Sequence, residues 1–323
     1  MPTQGELIMK FYPVLLITIF CFTTNTFSQI QFTPHTITTS ASLAQSVYAV
    51  DVDGDGDMDV LSASRFDGKI AWYENDGNEN FGARIITTSA NEARSVYAVD
   101  VDGDGDMDVL SASEFDDKIA WYENDGNQNF SVHTITEDAT GAFSVYAIDV
   151  DGDGDMDVLS ASQFDNKIAW YQNNGNENFT NHTITTNADG ATSVYAVDVD
   201  GDGDIDVLSA SFFDDKIAWY ENDGNENFTA HTITTSAAGA RSVYAVDVDG
   251  DGDVDVLSAS ISDDKIAWYE NDGSENFTPH TITTDAIFAL SVYAVDVDGD
   301  GDMDVLSASL SDDKIAWYEE RWQ

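Results

Sequence analysis

The sequence predicts an all-β protein, a six-bladed β-propeller of four-stranded antiparallel blades. Three observations predict it. A 49-residue unit recurs six times, and its best-kept stretch starts at Asp51, Asp100, Asp149, Asp198, Asp247 and Asp296. Each unit carries four short β-rich runs separated by Asp, Asn and Gly turns, with no helical period. The chain also begins its first unit with a fourth-strand sequence and ends its last unit after a third strand. A fixed period of this length denotes a repeat architecture, and four strands per repeat denote propeller blades.

The elements of the first unit set the pattern. Residues 46–52 (SVYAVDV) are apolar on both faces and read as a strand buried on both sides. An aspartate-rich loop follows. Residues 59–64 (DVLSAS) alternate apolar and small polar residues, giving a second strand. Arg65-Phe66-Asp67-Gly68 is a turn, and residues 69–74 (KIAWYE) are a third strand. Asn75-Asp76-Gly77-Asn78 is a strong turn signal, because these residues tolerate positive φ. Residues 81–88 form a fourth, more polar strand. Residues 31–38 (QFTPHTIT) match the fourth-strand sequence at 277–283, so the N-terminal strand is expected to pair with the last blade and close the ring. Residues 31–323 number 293, one short of six periods. An open solenoid would leave a bare apolar edge at each end.

Residues 1–29 read as a secretory signal peptide. Lys10 precedes an apolar run from Phe11 to Phe22, followed by TTNTFSQ, and the run is too short for a comfortable membrane span. Met9 offers an alternative start. The propeller then covers 30–323, and the product is expected at the cell surface or secreted. The single cysteine, Cys21, falls inside the signal, which leaves no disulfide. Sixty-one acidic residues against twelve Lys and Arg give a formal charge of −49. That balance excludes nucleic-acid binding, which needs a basic patch, and argues against docking on anionic membranes or inserting into one after signal removal. The chain is expected to be a monomer.

The recurring stretch has the ligand spacing of a hard, oxygen-loving cation. In the first copy Asp51, Asp53, Asp55 and Asp59 offer side-chain oxygens at positions 1, 3, 5 and 9, and Asp57 offers its carbonyl at position 7. Gly54 and Gly56 let the chain turn tightly. The same roles fall on Asp100, Asp102, Asp104, Asp106 and Asp108, and on Asp149, Asp151, Asp153, Asp155 and Asp157. They fall again on Asp198, Asp200, Asp202, Asp204 and Asp206, and on Asp247, Asp249, Asp251, Asp253 and Asp255. The sixth set is Asp296, Asp298, Asp300, Asp302 and Asp304. Strand flanks exclude a helix-flanked EF-hand. Mg²⁺ prefers fewer protein ligands, so Ca²⁺ is expected, about six per chain. Six divalent ions would bring the net charge to about −37. Six equivalent sites filled by the protein's own oxygens read as structural, with Ca²⁺ the one cofactor expected and no catalytic residue.

Strand polarity puts the aspartate loops and the Asn-Asp-Gly turns on one face of the ring. The connections at 65–68 and 40–45 lie on the other. The metal face hardly changes among the copies, whereas the opposite face does: Arg65 becomes Glu114, Gln163, Phe212, Ile261 and Leu310. Variation confined to one face is expected of a surface that binds a protein or a glycan, and equally of loops free to drift. The residues singled out there are Arg65, Phe115, Phe212, Phe213, Phe288 and Arg241. The six tryptophans at Trp72 and its equivalents read as blade-to-blade packing, and Lys69 and its equivalents as partners of the acidic turn before them. His35, His133, His182, His231 and His280 share a position with Arg84, which argues against a metal or base role.

The unit VYAVDVDGDGDMDVLSAS…KIAWYENDGNENF resembles the FG-GAP-like (VCBS) repeat of secreted bacterial proteins, akin to the N-terminal propeller of integrin α chains. The resemblance spans residues 31–323. It implies Ca²⁺ in the aspartate loops of one face and partners on the other. Family members include adhesins, lectins and appendages of enzymes, so the reading is an interaction or adhesion module, with a lectin as the alternative and a hydrolase or lyase as a third.

Overall fold

The computed structural model describes residues 35–319. They form strands, turns and loops, with no helix among them. Blade 1 comprises β1 (Ala44–Val50), β2 (Asp59–Ser64), β3 (Lys69–Asn75) and β4 (Phe81–Thr87). Blade 2 comprises β5 (Ala93–Val99), β6 (Asp108–Ser113), β7 (Lys118–Asn124) and β8 (Phe130–Thr136). Blade 3 comprises β9 (Ala142–Ile148), β10 (Asp157–Ser162), β11 (Lys167–Asn173) and β12 (Phe179–Thr185). Blade 4 comprises β13 (Ala191–Val197), β14 (Asp206–Ser211), β15 (Lys216–Asn222) and β16 (Phe228–Thr234). Blade 5 comprises β17 (Ala240–Val246), β18 (Asp255–Ser260), β19 (Lys265–Asn271) and β20 (Phe277–Thr283). Blade 6 comprises β21 (Ala289–Val295), β22 (Asp304–Ser309) and β23 (Lys314–Tyr318).

Every blade is an antiparallel meander in chain order. The six blades form a ring, an all-β six-bladed propeller. First strands of successive blades touch one another from β1 to β21, which places them around the axis. The tyrosines of these strands follow one another around the channel, one per blade, with neighbouring rings 4.7–4.9 Å apart from Tyr48 to Tyr293.

The core lies between blades, since a sheet buried on both faces needs a neighbour on each. Val52, Leu61, Ile70 and Trp72 of blade 1 pack on Ala93, Val96 and Val109 of blade 2, and the same arrangement recurs at the next four junctions. Trp170, fully buried, stacks on His182 at 4.6 Å and meets Phe228 of the next blade edge-on at 6.3 Å. This is the packing role read for the tryptophans. At the junction of blades 6 and 1 the faces are open among the described residues. Val47 is 70% exposed where Val96 is 4%, and Ile315 is 77% exposed where Ile266 is 0%. The closing strand read at 31–38 lies outside the described residues as far as 34, and residues 35–38 carry no strand. The signal read at 1–29 also lies outside them. No described helix is long and apolar enough to cross a membrane.

The first strand begins and ends two residues earlier than its sequence implies. Its end is set by chemistry: the Val52 N–H donates to the Asp59 carboxylate at 3.0 Å and so leaves the ladder. The six lysines among the described residues each pair with the aspartate two residues before them, at 2.6–3.3 Å.

Candidate metal centres

Each aspartate loop is wound around its first carboxylate. Asp51 accepts from the Gly54 N–H at 2.8 Å through one oxygen and from the Gly56 N–H at 2.9 Å through the other. Both glycines have positive φ, +71° and +96°, and the second is far outside the range open to other residues. Asp55 accepts from the Asp57 N–H at 2.9 Å, a local turn that tightens the loop. Asp59 opens β2 fully buried and accepts from the N–H groups of Val52 at 3.0 Å and Asn75 at 2.7 Å. These bonds recur in the last blade, where Asp296 holds Gly299 and Gly301 and Asp304 holds Val297.

The winding converges three carboxylates. One oxygen from each of Asp51, Asp53 and Asp59 lies within 4.8 Å of the other two, and the same holds for 100/102/108, 149/151/157 and 198/200/206. The aspartates at loop positions 5 and 7, Asp55 and Asp57 in the first copy, stand outside that trio. Asp57 instead lies over the Asn-Asp-Gly turn, where a Cβ on Gly77 would fall 2.5 Å from its carboxylate. The donor set fits a hard divalent cation. It is all oxygen, and Asp53 Oδ1 is buried with no hydrogen-bond partner. The carboxylates are also uneasy as bare anions. Burial, despite N–H donors from Asn124 and Val101, pushes Asp108 up to about 7, and Asp157 is pushed as far. Asp206 and Asp255 rise to about 6 for the same reason. Asp53 is raised by burial and by the charges of Asp55 and Asp59. These Asp-rich clusters can hold metal ions.

A pH trend follows for chelated protein. The folded carboxyls at 108, 157, 206 and 255 hold protons up to about 6–7, whereas unfolded ones release them near 3.8. Between these values the folded state binds more protons, so stability falls as pH rises through the window. Thermal melts in chelator are expected at lower temperature at about pH 7.5 than at about pH 5. A melt that rises across this range contradicts the burial of these acids.

The site extends beyond the loop in ways the sequence did not display. Asn124 of the second blade's turn donates through Nδ2 to the Val52 carbonyl of the first blade's loop at 3.3 Å, and also to Met107 at 3.2 Å. Asn173, Asn222 and Asn271 repeat this tie to the blade before them. Gln128, in the same turn, reaches Asp53 at 3.0 Å, and Glu275 borders Asp200. The one local hint is backbone: Glu79, Gln128, Glu177, Glu226 and Glu275 all adopt φ of 61–67°. Four of the six aspartate loops, those of blades 1 to 4, are therefore hydrogen-bonded to the next blade. Asn173→Ala leaves two carbonyls short of a donor and is expected to cost about 1–3 kcal/mol in denaturant unfolding. A loss within error would show the tie to be idle.

The residues singled out on the opposite face lie where strand polarity put them. Arg65 pairs with Glu92. Phe115, Phe213 and Phe288 are exposed, Phe212 meets Phe213 edge-on at 5.1 Å, and Arg241 lies over the Phe143 ring. The histidines at 133, 182, 231 and 280 each stack on a tryptophan of their own blade. His133 stacks on Trp121 at 4.6 Å and bonds Glu123 at 2.7 Å.

The fold is shared with solved structures. A lectin of Agrocybe aegerita, described for its recognition of non-reducing terminal N-acetylglucosamine, superposes with TM-score 0.58 at 18% identity over 81% of this chain and 74% of that one. A functionally unknown protein from Desulfotomaculum acetoxidans superposes with TM-score 0.54 at 12% identity over 85% of this chain and 84% of that one. No curated protein matches the sequence. The FG-GAP-like repeat family matches residues 51–111, 100–160, 149–209, 198–258 and 247–307, five overlapping spans that start on the aspartate loops. Wound carboxylate loops, four-stranded blades and these matches together place the chain in the FG-GAP-like repeat family.

Proposed function

We propose that this protein is a secreted or cell-surface adhesion module. Its aspartate loops hold structural Ca²⁺ on one face, and its opposite face binds a partner. The observation that carries the reading is the contrast between the faces. The loop side repeats almost unchanged, whereas the other side varies from blade to blade and exposes Phe66, Phe115, Phe164 and Phe213 on four successive blades. Large aromatic side chains held in water on one side of a protein of this charge are unfavourable unless something covers them. No catalysis is assigned: His133, His182, His231 and His280 stack on tryptophans and bond a glutamate or, at His182, Gln172.

The last two blades carry Ser262 and Ser311 where the others carry these phenylalanines, so serine is compatible with this turn. A Phe115→Ser/Phe213→Ser variant should fold normally and lose capture of surface proteins and glycans in millimolar Ca²⁺. Equal capture by both proteins sinks the assignment of this face. A lectin is the second reading. It is favoured by the fold shared with the Agrocybe aegerita lectin, and a glycan array separates it from protein adhesion.

A further inference from the structure

Each inner strand carries one β-bulge at the same place. In blade 1 the pairing steps from Ala44↔Ser64 to Ser46↔Ala63 and passes over Gln45. The same break passes over Arg94, Phe143, Thr192, Arg241 and Leu290 in the blades that follow. Alanine precedes the skipped residue in all six copies and Ser-Val-Tyr-Ala follows it, so the bulge is where the inner strand changes identity. A bulge re-aims the side chain it carries, and bulges are frequent beside binding sites. Here six of them deliver six side chains to the mouth of the channel, on the face away from the metal loops.

These side chains meet on the axis. The Arg94 guanidinium lies 4.7 Å from the centre of the Phe143 ring, and that of Arg241 lies 4.2 Å from the same ring. Blades 2 and 5 stand on opposite sides of a six-membered ring, so the two cations close over the channel between them. Arg94 is satisfied. It is 9% exposed, pairs with Glu114, and donates to Gln45 at 2.8 Å. Arg65 is satisfied by Glu92. Arg241 has no carboxylate in hydrogen-bond reach among the described residues. The nearest charges that act on it are Arg94, Arg65 and Glu114, and Glu114 already serves Arg94. Burial first, then Arg94, pulls its pKa down to about 10. Three guanidiniums therefore face two carboxylates, a local surplus of one positive charge in a chain of formal charge −49. Only four arginines lie among the described residues, and three of them are here.

We propose that the channel mouth binds the carboxylate of a small mono-anionic ligand, held by the free N–H fork of Arg241 with Arg94 fixed beside it. A planar guanidinium matches a carboxylate in two parallel hydrogen bonds. One surplus positive charge balances one negative charge, whereas a phosphate dianion would bring an uncompensated charge into an acidic protein. Arg241 lies against a ring that is itself 9% exposed, so a narrow end group reaches it and a broad protein surface does not. This assignment deepens the reading of the same face as ligand-binding and rests on it.

The test is calorimetry on the full chain in millimolar Ca²⁺. D-Glucuronate and N-acetylglycine are the carboxylate probes, and D-glucose and inorganic phosphate are the controls. At least one carboxylate should bind, with glucose silent and phosphate weaker, and the carboxylate that binds distinguishes a sugar acid from a peptide-like end. Arg241→Met should weaken it about tenfold or more, the loss of one charge-assisted pair. Arg84→Met, on an outer strand, should leave it unchanged. If Arg241→Met does not fold, Arg241→Lys keeps the charge without the fork and should still weaken binding. Absence of carboxylate binding to the wild type, or equal binding by the Arg241 variants, overturns the proposal. A neutral ligand lost in Phe115→Ser/Phe213→Ser but retained in Arg241→Met refutes the carboxylate site and leaves the ligand face standing.

Discussion

Chelating calcium is expected to unfold this protein or to lower its melting temperature more than any single substitution. A ligand that binds only the folded state stabilises by about 2.7 kcal/mol per site at a hundredfold excess over Kd. Six independent sites would supply about 16 kcal/mol, as much as the whole stability of an ordinary domain. The loops also concentrate charge. Asp51, Asp53 and Asp59 bring oxygens within 4.8 Å of one another, and Asp59 is fully buried. Without a cation that arrangement is repulsive. Because Asn124, Asn173, Asn222 and Asn271 hydrogen-bond the loop of the preceding blade, a slack loop loosens a junction as well. Calorimetric melts with and without chelator read the effect. Added Ca²⁺ should restore the melt and Mg²⁺ should restore it less, since Mg²⁺ keeps more of its water. A melt indifferent to chelator would show that the loops stand without ions.

Trp170→Ala should cost about 3–5 kcal/mol, the range for deleting a large buried aromatic and leaving its cavity. The indole is fully buried, with His182 on one face and Phe228 of the next blade at its edge. The loss is therefore shared by two blades. Denaturant unfolding of the calcium-loaded variant measures it. A cost below about 1 kcal/mol would mean that the blades hold together by other contacts.

Much of this fold is legible in one repeat. Residues 59–64 are a strand to the residue, because apolar and small polar side chains alternate there and Asp59 and Ser64 bound them. Gly54, Gly56 and Gly77 mark turns because each has φ that other residues avoid. The tryptophans and lysines do what their places in the repeat imply. What was hidden depends on contacts between repeats. Asn124 reads as a turn residue, yet its amide crosses to Val52, 72 positions earlier. Gln128 reaches Asp53 from 75 positions away. No local pattern contains such pairs, since the ring and not the strand creates them. The bulge at Gln45 and its equivalents is hidden for a related reason. A bulge is a mismatch between two strands, and the sequence of one strand does not display its register. Arg241 was noticeable as a rare cation on the variable face, but its meeting with Arg94 over Phe143 needed the ring. The inner strand was expected to be buried on both sides. Its tyrosines are only half covered, because they line the channel.

The fold and its stability both depend on whether the aspartate loops are filled. Equilibrium dialysis of the chelated and refolded protein against calcium, with metal analysis of the retentate, measures this directly. About six Ca²⁺ bound per chain, one per aspartate loop, is the result predicted by the six copies. One ion or none, from protein that still shows its native β signature, would contradict it.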